Sequence, residues 1–154
     1  MLSESNLKKF EELKKRYPTL KALVLPALWM IQEQDGYISM NSMRYVSELI
    51  GVPYGHVFGV VSFYTMFHQR RVGKHHIQIC TNISCSLLGA ERLCDYLKKK
   101  LNVEIGEVTS DKTFSLEEVE CLGSCGTAPM MMIDEEFYEN LNEERIDRIL
   151  GMLR

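Results

Sequence analysis

The sequence predicts an α+β protein: an N-terminal helical bundle over residues 1–72, then an α/β unit over residues 73–154 in which helices cover a small sheet. Three observations carry that expectation. Apolar residues make up 45% of the 154 residues and charged residues 25%, the balance of a chain that buries a core. As far as Arg71, apolar side chains recur at helical spacing between proline and glycine breaks. From Gly73 the texture changes to short alternating runs separated by helical stretches, as strands and covering helices require.

Residues 5–17 set Leu7, Phe10, Leu13 and Tyr17 on one face among lysines and glutamates, an amphipathic helix ended by Pro18. A second helix runs from Thr19 or Leu20 to Gln34 with Leu23, Ala27, Leu28 and Ile31 inward. Pro26 inside it predicts a kink or a late start, because proline has no N–H to give to the preceding turn. Asp35-Gly36 is a turn, Asn41 is the expected cap of a third helix burying Val46, Leu49 and Ile50, and Gly51 stops that helix. Pro53 suits the first turn of a fourth helix reaching Val61.

In the second part, His76 to Ile79 alternates and runs as a strand into Cys80. Ser86 to Leu101 reads as one helix with Leu87, Ala90, Cys94, Leu97 and Leu101 on its inner stripe. A turn at Gly106 and the polar stretch 109–112 lead to a strand over Leu116 to Glu120. A further strand is expected over Met130 to Ile133. A closing helix from Glu143 to Leu153 turns Ile146, Ile149, Leu150 and Leu153 inward.

The net charge of -3, with basic residues scattered rather than gathered into an arm, argues against nucleic-acid binding. The start of the chain lacks the charged-then-apolar pattern of a secretory signal. Its most apolar stretch, Ala22 to Ile31, is too short to span a bilayer, so a soluble intracellular protein with no direct membrane insertion is expected. Neither G-x-G-x-x-G nor G-x-x-x-x-G-K-[ST] occurs, so any nucleotide or flavin chemistry would belong to another chain.

The cysteines fall at 80, 85, 94, 121 and 125. Cys80 and Cys85 follow one expected strand and Cys121 and Cys125 another, so two pairs project from loops at one edge of a sheet. Soft thiolates suit iron, zinc or copper. Zinc sites usually contain a C-x2-C knuckle, which neither pair has, and an iron-sulfur cluster is therefore favoured over zinc or unliganded thiols. A [2Fe-2S] core with four thiolates carries about -2 when oxidised and about -3 when reduced, so donors aimed at sulfur favour the reduced form. The loops carry candidate donors at Thr81, Asn82, Ser84, Ser86, Ser124 and Thr127, and glycines at 123 and 126 that let backbone N–H groups come close. Cys94, on an apolar stripe, reads as core. So do the methionines at 130–132, while His56, His68, His75 and His76 read as ordinary structural residues.

Asp111-x-x-Phe114-Ser115, then five residues, then Cys121-Leu122-Gly123-Ser124-Cys125-Gly126-Thr127-Ala128-Pro129 resembles the 24 kDa thioredoxin-like [2Fe-2S] subunit family of respiratory complex I, the bacterial E-type chains of NADH-quinone oxidoreductase, with relatives in NAD-linked hydrogenases and formate dehydrogenases. Gln34-Asp35-Gly36-Tyr37-Ile38, Gly59-Val60-Val61-Ser62-Phe63-Tyr64, Gly73-Lys74-His75-His76-Ile77 and Cys80-Thr81-Asn82 resemble further stretches of that family. The resemblance implies a thioredoxin-like domain after the helical bundle, and one [2Fe-2S] cluster held by Cys80, Cys85, Cys121 and Cys125. It also implies a non-catalytic electron-transfer role in an NADH dehydrogenase complex. The implied partners are a flavin subunit that binds FMN and NADH and carries a [4Fe-4S] cluster, and other subunits of the peripheral arm. The implied location is cytoplasmic, at the inner face of the cell membrane through the complex. Trp29 and Tyr37 are candidate partner contacts, or simply core aromatics.

Overall fold

In the computed structural model, which describes residues 1–153, the chain divides into two units, Met1–Arg71 and a second beginning at Val72. The first is helical. Helix α1 (Glu4–Lys14) is capped by Ser3, whose hydroxyl accepts from the Asn6 N–H. It closes at Lys15, whose N–H donates to the Glu12 carbonyl while the Arg16 N–H donates to that of Leu13, so it ends before Pro18 is reached. A 3-10 turn over Leu20–Leu23 leads into α2 (Val24–Asp35), where Pro26 falls in the first turn, the place where a missing N–H costs no intrahelical bond.

Helix α3 (Met40–Ile50) is capped by Ser39 rather than by Asn41: the Ser39 hydroxyl accepts from the Ser42 N–H at 3.0 Å, while Asn41 stands exposed inside the first turn. Pro53 precedes α4 (Tyr54–Phe63). Phe10, Leu28, Ile31, Ile38, Val46 and Val57 form the centre of this unit's core, all with no measurable exposure. The side-chain amide of Gln32 bonds the Met66 carbonyl and the His68 N–H, both at 2.7 Å, and ties the end of α2 to the segment after α4.

The second unit is a four-stranded sheet with helices on it. Strands β1 (His75–Cys80), β2 (Phe114–Val119), β3 (Met131–Ile133) and β4 (Glu136–Tyr138) lie in the order β2-β1-β3-β4. β1 and β2 are parallel, with Cys80 opposite Val119; β1–β3 and β3–β4 are antiparallel. The parallel pair requires a crossover, supplied by α5 (Ile83–Leu87) and α6 (Ala90–Leu101); α7 (Glu143–Met152) closes the chain.

Ile77, Ile79, Leu93, Leu97, Leu116, Ile133, Ile146 and Ile149 make the core, each such side chain contributing about 1.5–3 kcal/mol by leaving water. Gly73 sits hard against β2: a Cβ there would lie 2.4 Å from the Phe114 carbonyl carbon, and its N–H donates to Ser115 Oγ at 2.9 Å, so only glycine fits.

The single helix expected over Ser86 to Leu101 is two. Gly89, at φ +90°, ends α5, and α6 restarts at Ala90. The inner stripe therefore begins at Ala90, and Leu87, expected inward, is 82% exposed. β4 was not expected from sequence: only three residues long, Glu136 to Tyr138, it shows no buried alternation. The thioredoxin-like sheet and the preceding helices agree with the expected fold class.

Candidate metal centre

The parallel pairing of β1 and β2 makes both strands end at the same sheet edge, and the cysteines hang from those ends. Cys80 is the last residue of β1. Cys121 lies two residues beyond the end of β2, and the Thr81 N–H bonds the Val119 carbonyl at 3.2 Å across the same edge. Cys85 stands in α5, a turn after Cys80, and Cys125 opens a 3-10 turn over Cys125–Thr127. Asn82 caps α5 through its side-chain oxygen, which accepts from the Ile83 N–H at 2.8 Å.

The two pairs differ in surroundings. Cys80 and Cys85 are buried in a small apolar floor with Ala90, Ala128, Met130 and part of Leu122. Cys121 and Cys125 are exposed. Burial pushes the Cys85 thiol up, and its neighbour Cys80 adds to that; a hydrogen bond with the Met130 backbone works the other way, and Cys125 exerts a further upward influence. The Gly123 N–H donates to Cys121 Sγ at 3.3 Å, from a left-handed backbone at φ +79°. That is the close backbone donor expected of this glycine.

Donor set, floor and N–H direction fit an iron-sulfur cluster. Four soft thiols reach one edge from two loops, apolar side chains close the inner side, and a backbone N–H is aimed at the sulfur of Cys121, a candidate ligand. Among the described residues no three His, Cys, Asp or Glu side chains are gathered closely enough to share a single metal ion.

The loop hydroxyls behave differently from the expectation that they serve the sulfurs. Thr81 Oγ1 donates to Glu118 at 2.7 Å, Ser86 Oγ to Glu91 at 2.9 Å, and Ser124 Oγ and Thr127 Oγ1 both to Glu139. Each of these four hydroxyls has a carboxylate acceptor. The carboxylates lie elsewhere in the chain, and no motif or spacing marks them among the acidic residues.

Cys94 lies in the core on α6, 7% exposed, its thiol pushed up first by burial and then by the charges of Glu118 and Asp95. Met131 is buried in the sheet, and Met130, just before β3, is buried in the floor beside Cys80 and Cys85. β1 begins at His75, one residue ahead of the expected start, so both His75 and His76 lie within it. His76 is buried, with Nδ1 2.8 Å from Ser115 Oγ and Nε2 3.0 Å from Glu117; His75 contacts Asp134 at 2.9 Å. Trp29 is part-exposed and donates to Glu33 at 2.9 Å, and Arg71 stacks 5.1 Å from the Tyr37 ring. No helix of the described residues is long and apolar enough to cross a membrane.

Comparison with known proteins bears on the same residues. A family model of the thioredoxin-like [2Fe-2S] ferredoxins matches residues 10–154. The E-type chain of the NADH-quinone oxidoreductase of Rickettsia conorii is 38% identical over 98% of this chain and 92% of its own length. The second E-type chain of the corresponding Rhizobium meliloti enzyme is 37% identical over 90% of this chain and 83% of its own. Among solved structures, an NAD+-reducing [NiFe]-hydrogenase in its H2-reduced state superposes with a TM-score of 0.70 at 21% identity over 85% of this chain. This chain spans 22% of that one, and the likeness is one of fold.

Proposed function

The chain belongs to the thioredoxin-like [2Fe-2S] ferredoxin family, and from that premise we propose that it is the electron-transfer subunit of an NADH-quinone oxidoreductase, holding its [2Fe-2S] cluster through Cys80, Cys85, Cys121 and Cys125. The observation that carries the ligand assignment is the parallel β1–β2 pair, which delivers both cysteine loops to one edge. When bound, the cluster supplies a one-electron site.

The residues of the chain do the rest. Cys80 and Cys85 anchor the inner side, where Ala90, Ala128 and Met130 keep water away and make added negative charge harder to accommodate. The Gly123 N–H acts in the opposite sense, because its bond to the Cys121 sulfur strengthens as that sulfur becomes more negative. The exposed Cys121 and Cys125 face outward, on the side open to a partner.

No nucleotide-binding fingerprint occurs in this chain, so NADH and FMN belong to a partner flavin subunit in this reading. We assign that partner a [4Fe-4S] cluster, and place the chain among the peripheral-arm subunits at the inner face of the cell membrane. An equivalent place in the diaphorase part of an NAD-linked hydrogenase or formate dehydrogenase uses the same site. Relatives of 36–38% identity that carry the name of the quinone-linked enzyme favour the former.

The test is low-temperature EPR of the chain purified without oxygen, before and after dithionite, with iron and sulfide measured on the same sample. A silent oxidised sample that gains one spin-half signal, with about two iron and two sulfide per chain, is the expected result. A colourless chain containing zinc and no sulfide would overturn it.

A further inference from the structure

Glu139 is the residue whose position the electron-transfer reading leaves unexplained. It follows β4, half-buried, and its Oε1 receives both the Ser124 and the Thr127 hydroxyl, the latter at 2.7 Å. Those two hydroxyls are themselves 2.7 Å apart and flank Cys125 on either side. The backbone follows the side chain: the Asn140 N–H donates to the Thr127 carbonyl at 2.7 Å and the Leu141 N–H to the Pro129 carbonyl at 2.9 Å. Residues 139–141 therefore lace the whole stretch 124–129 to the end of the sheet.

We propose that Glu139 is a positioning residue of the cluster: it fixes the loop that carries Cys125, turns two hydroxyls away from the cluster sulfurs, and holds a negative charge that lowers the midpoint potential. This rests on the assignment of Cys125 as a ligand. Glu91 and Glu118 also take loop hydroxyls, but each takes one and both are exposed, so water and salt screen their charges. Glu139 takes two from a less exposed position.

Its carboxylate is held ionised. The Ser124 and Thr127 hydroxyls, and more weakly the Arg145 charge, keep it below the usual carboxylate range. A fixed negative charge beside a centre that becomes more negative on reduction opposes that reduction. The two hydroxyls, committed to the carboxylate, cannot offset it by donating to sulfur.

Glu139→Gln keeps an oxygen acceptor of nearly the same shape and removes the charge, which separates field from scaffold. The cluster is expected to load to the wild-type iron and sulfide content, with the midpoint potential shifted to more positive values in an EPR-monitored redox titration. Glu135→Gln, which removes an equal charge at an exposed turn, is expected to leave the potential in place. Thr127→Val removes one of the two grips and leaves the charge; the expected result is cluster loss to a chelator at least several-fold faster than in the wild type.

An unchanged potential in Glu139→Gln, or an equal shift in Glu135→Gln, would overturn the electrostatic role. An unchanged rate of cluster loss in Thr127→Val would overturn the positioning role, and that measurement stands even if Glu139→Gln does not load. Failure of the underlying reading is distinguishable, because the wild-type chain itself would then lack iron and sulfide.

Discussion

Cys94 and Cys121 are the same side chain in opposite surroundings. Cys94 is packed against Leu93, Leu97 and the sheet, whereas Cys121 stands exposed with the Gly123 N–H directed at its sulfur. Replacing each by serine separates the two roles. Cys121→Ser removes a proposed soft ligand, and the chain is expected to lose the cluster or to show an altered EPR spectrum. Cys94→Ser buries a hydroxyl in an apolar site and is expected to keep the cluster while losing about 1–3 kcal/mol of stability in chemical denaturation. Equal loss of iron in both variants would sink the assignment. At this scale the candidate ligands could be read directly, since Cys80, Cys85, Cys121 and Cys125 stand in tight pairs after strand patterns. Glu139 could not, because its partners Ser124 and Thr127 are more than ten residues away and only the folded turn between them creates the contact.

Among the elements, the crossover from β1 to β2 shows where periodicity misleads. The apolar spacing of Leu87, Ala90, Cys94 and Leu97 is continuous in the sequence, and nothing in it reports that the backbone changes direction at Gly89. What decides is the left-handed conformation at φ +90°, which ends α5 just after Cys85 and starts α6 toward the core. The break lets a short helix present a candidate ligand while a longer one buries Leu93 and Leu97. Gly89→Ala leaves open space around the new methyl group, so its cost is purely one of backbone conformation. It is expected to destabilise the chain by about 1–2 kcal/mol and to quicken cluster loss, measured by urea denaturation and by the decay of visible absorption. The same local physics explains the cap of α3. Ser39 and Asn41 are both good capping types, and only the backbone decides that Ser39 has the extended conformation a cap needs. β4 was missed because a three-residue strand with an exposed Phe137 carries no alternation to detect.

At the level of the whole molecule, the order β2-β1-β3-β4 joins fold to site: the parallel pair of β1 with the outer strand β2 sends two distant loops to one end of the sheet, and the helices cover the core behind them. The alternation of β1 and the stripe of α6 made the α/β character legible. Strand order was not legible, because it follows from pairings between segments whose own patterns are alike. The site also couples to stability through protons. In the cluster-free chain, burial raises Cys85 and Cys94 above the usual thiol value, so over that range the folded state holds protons that the unfolded state has released. Their contribution is fully present below about pH 9, the value of an exposed thiol, and is lost as pH rises through the higher folded values. Cluster loading reverses the slope, because ligand thiols must give up their protons to bind metal. Denaturation at about pH 7.5 and about pH 9.5 is therefore expected to show the cluster-free chain weakening at the higher pH, and the stability gained on loading growing there. A cluster-free chain that strengthened with pH over this interval would show that the buried thiols are already ionised in the fold, and with that the buried side of the site would no longer be the neutral apolar floor described by Ala90, Ala128 and Met130.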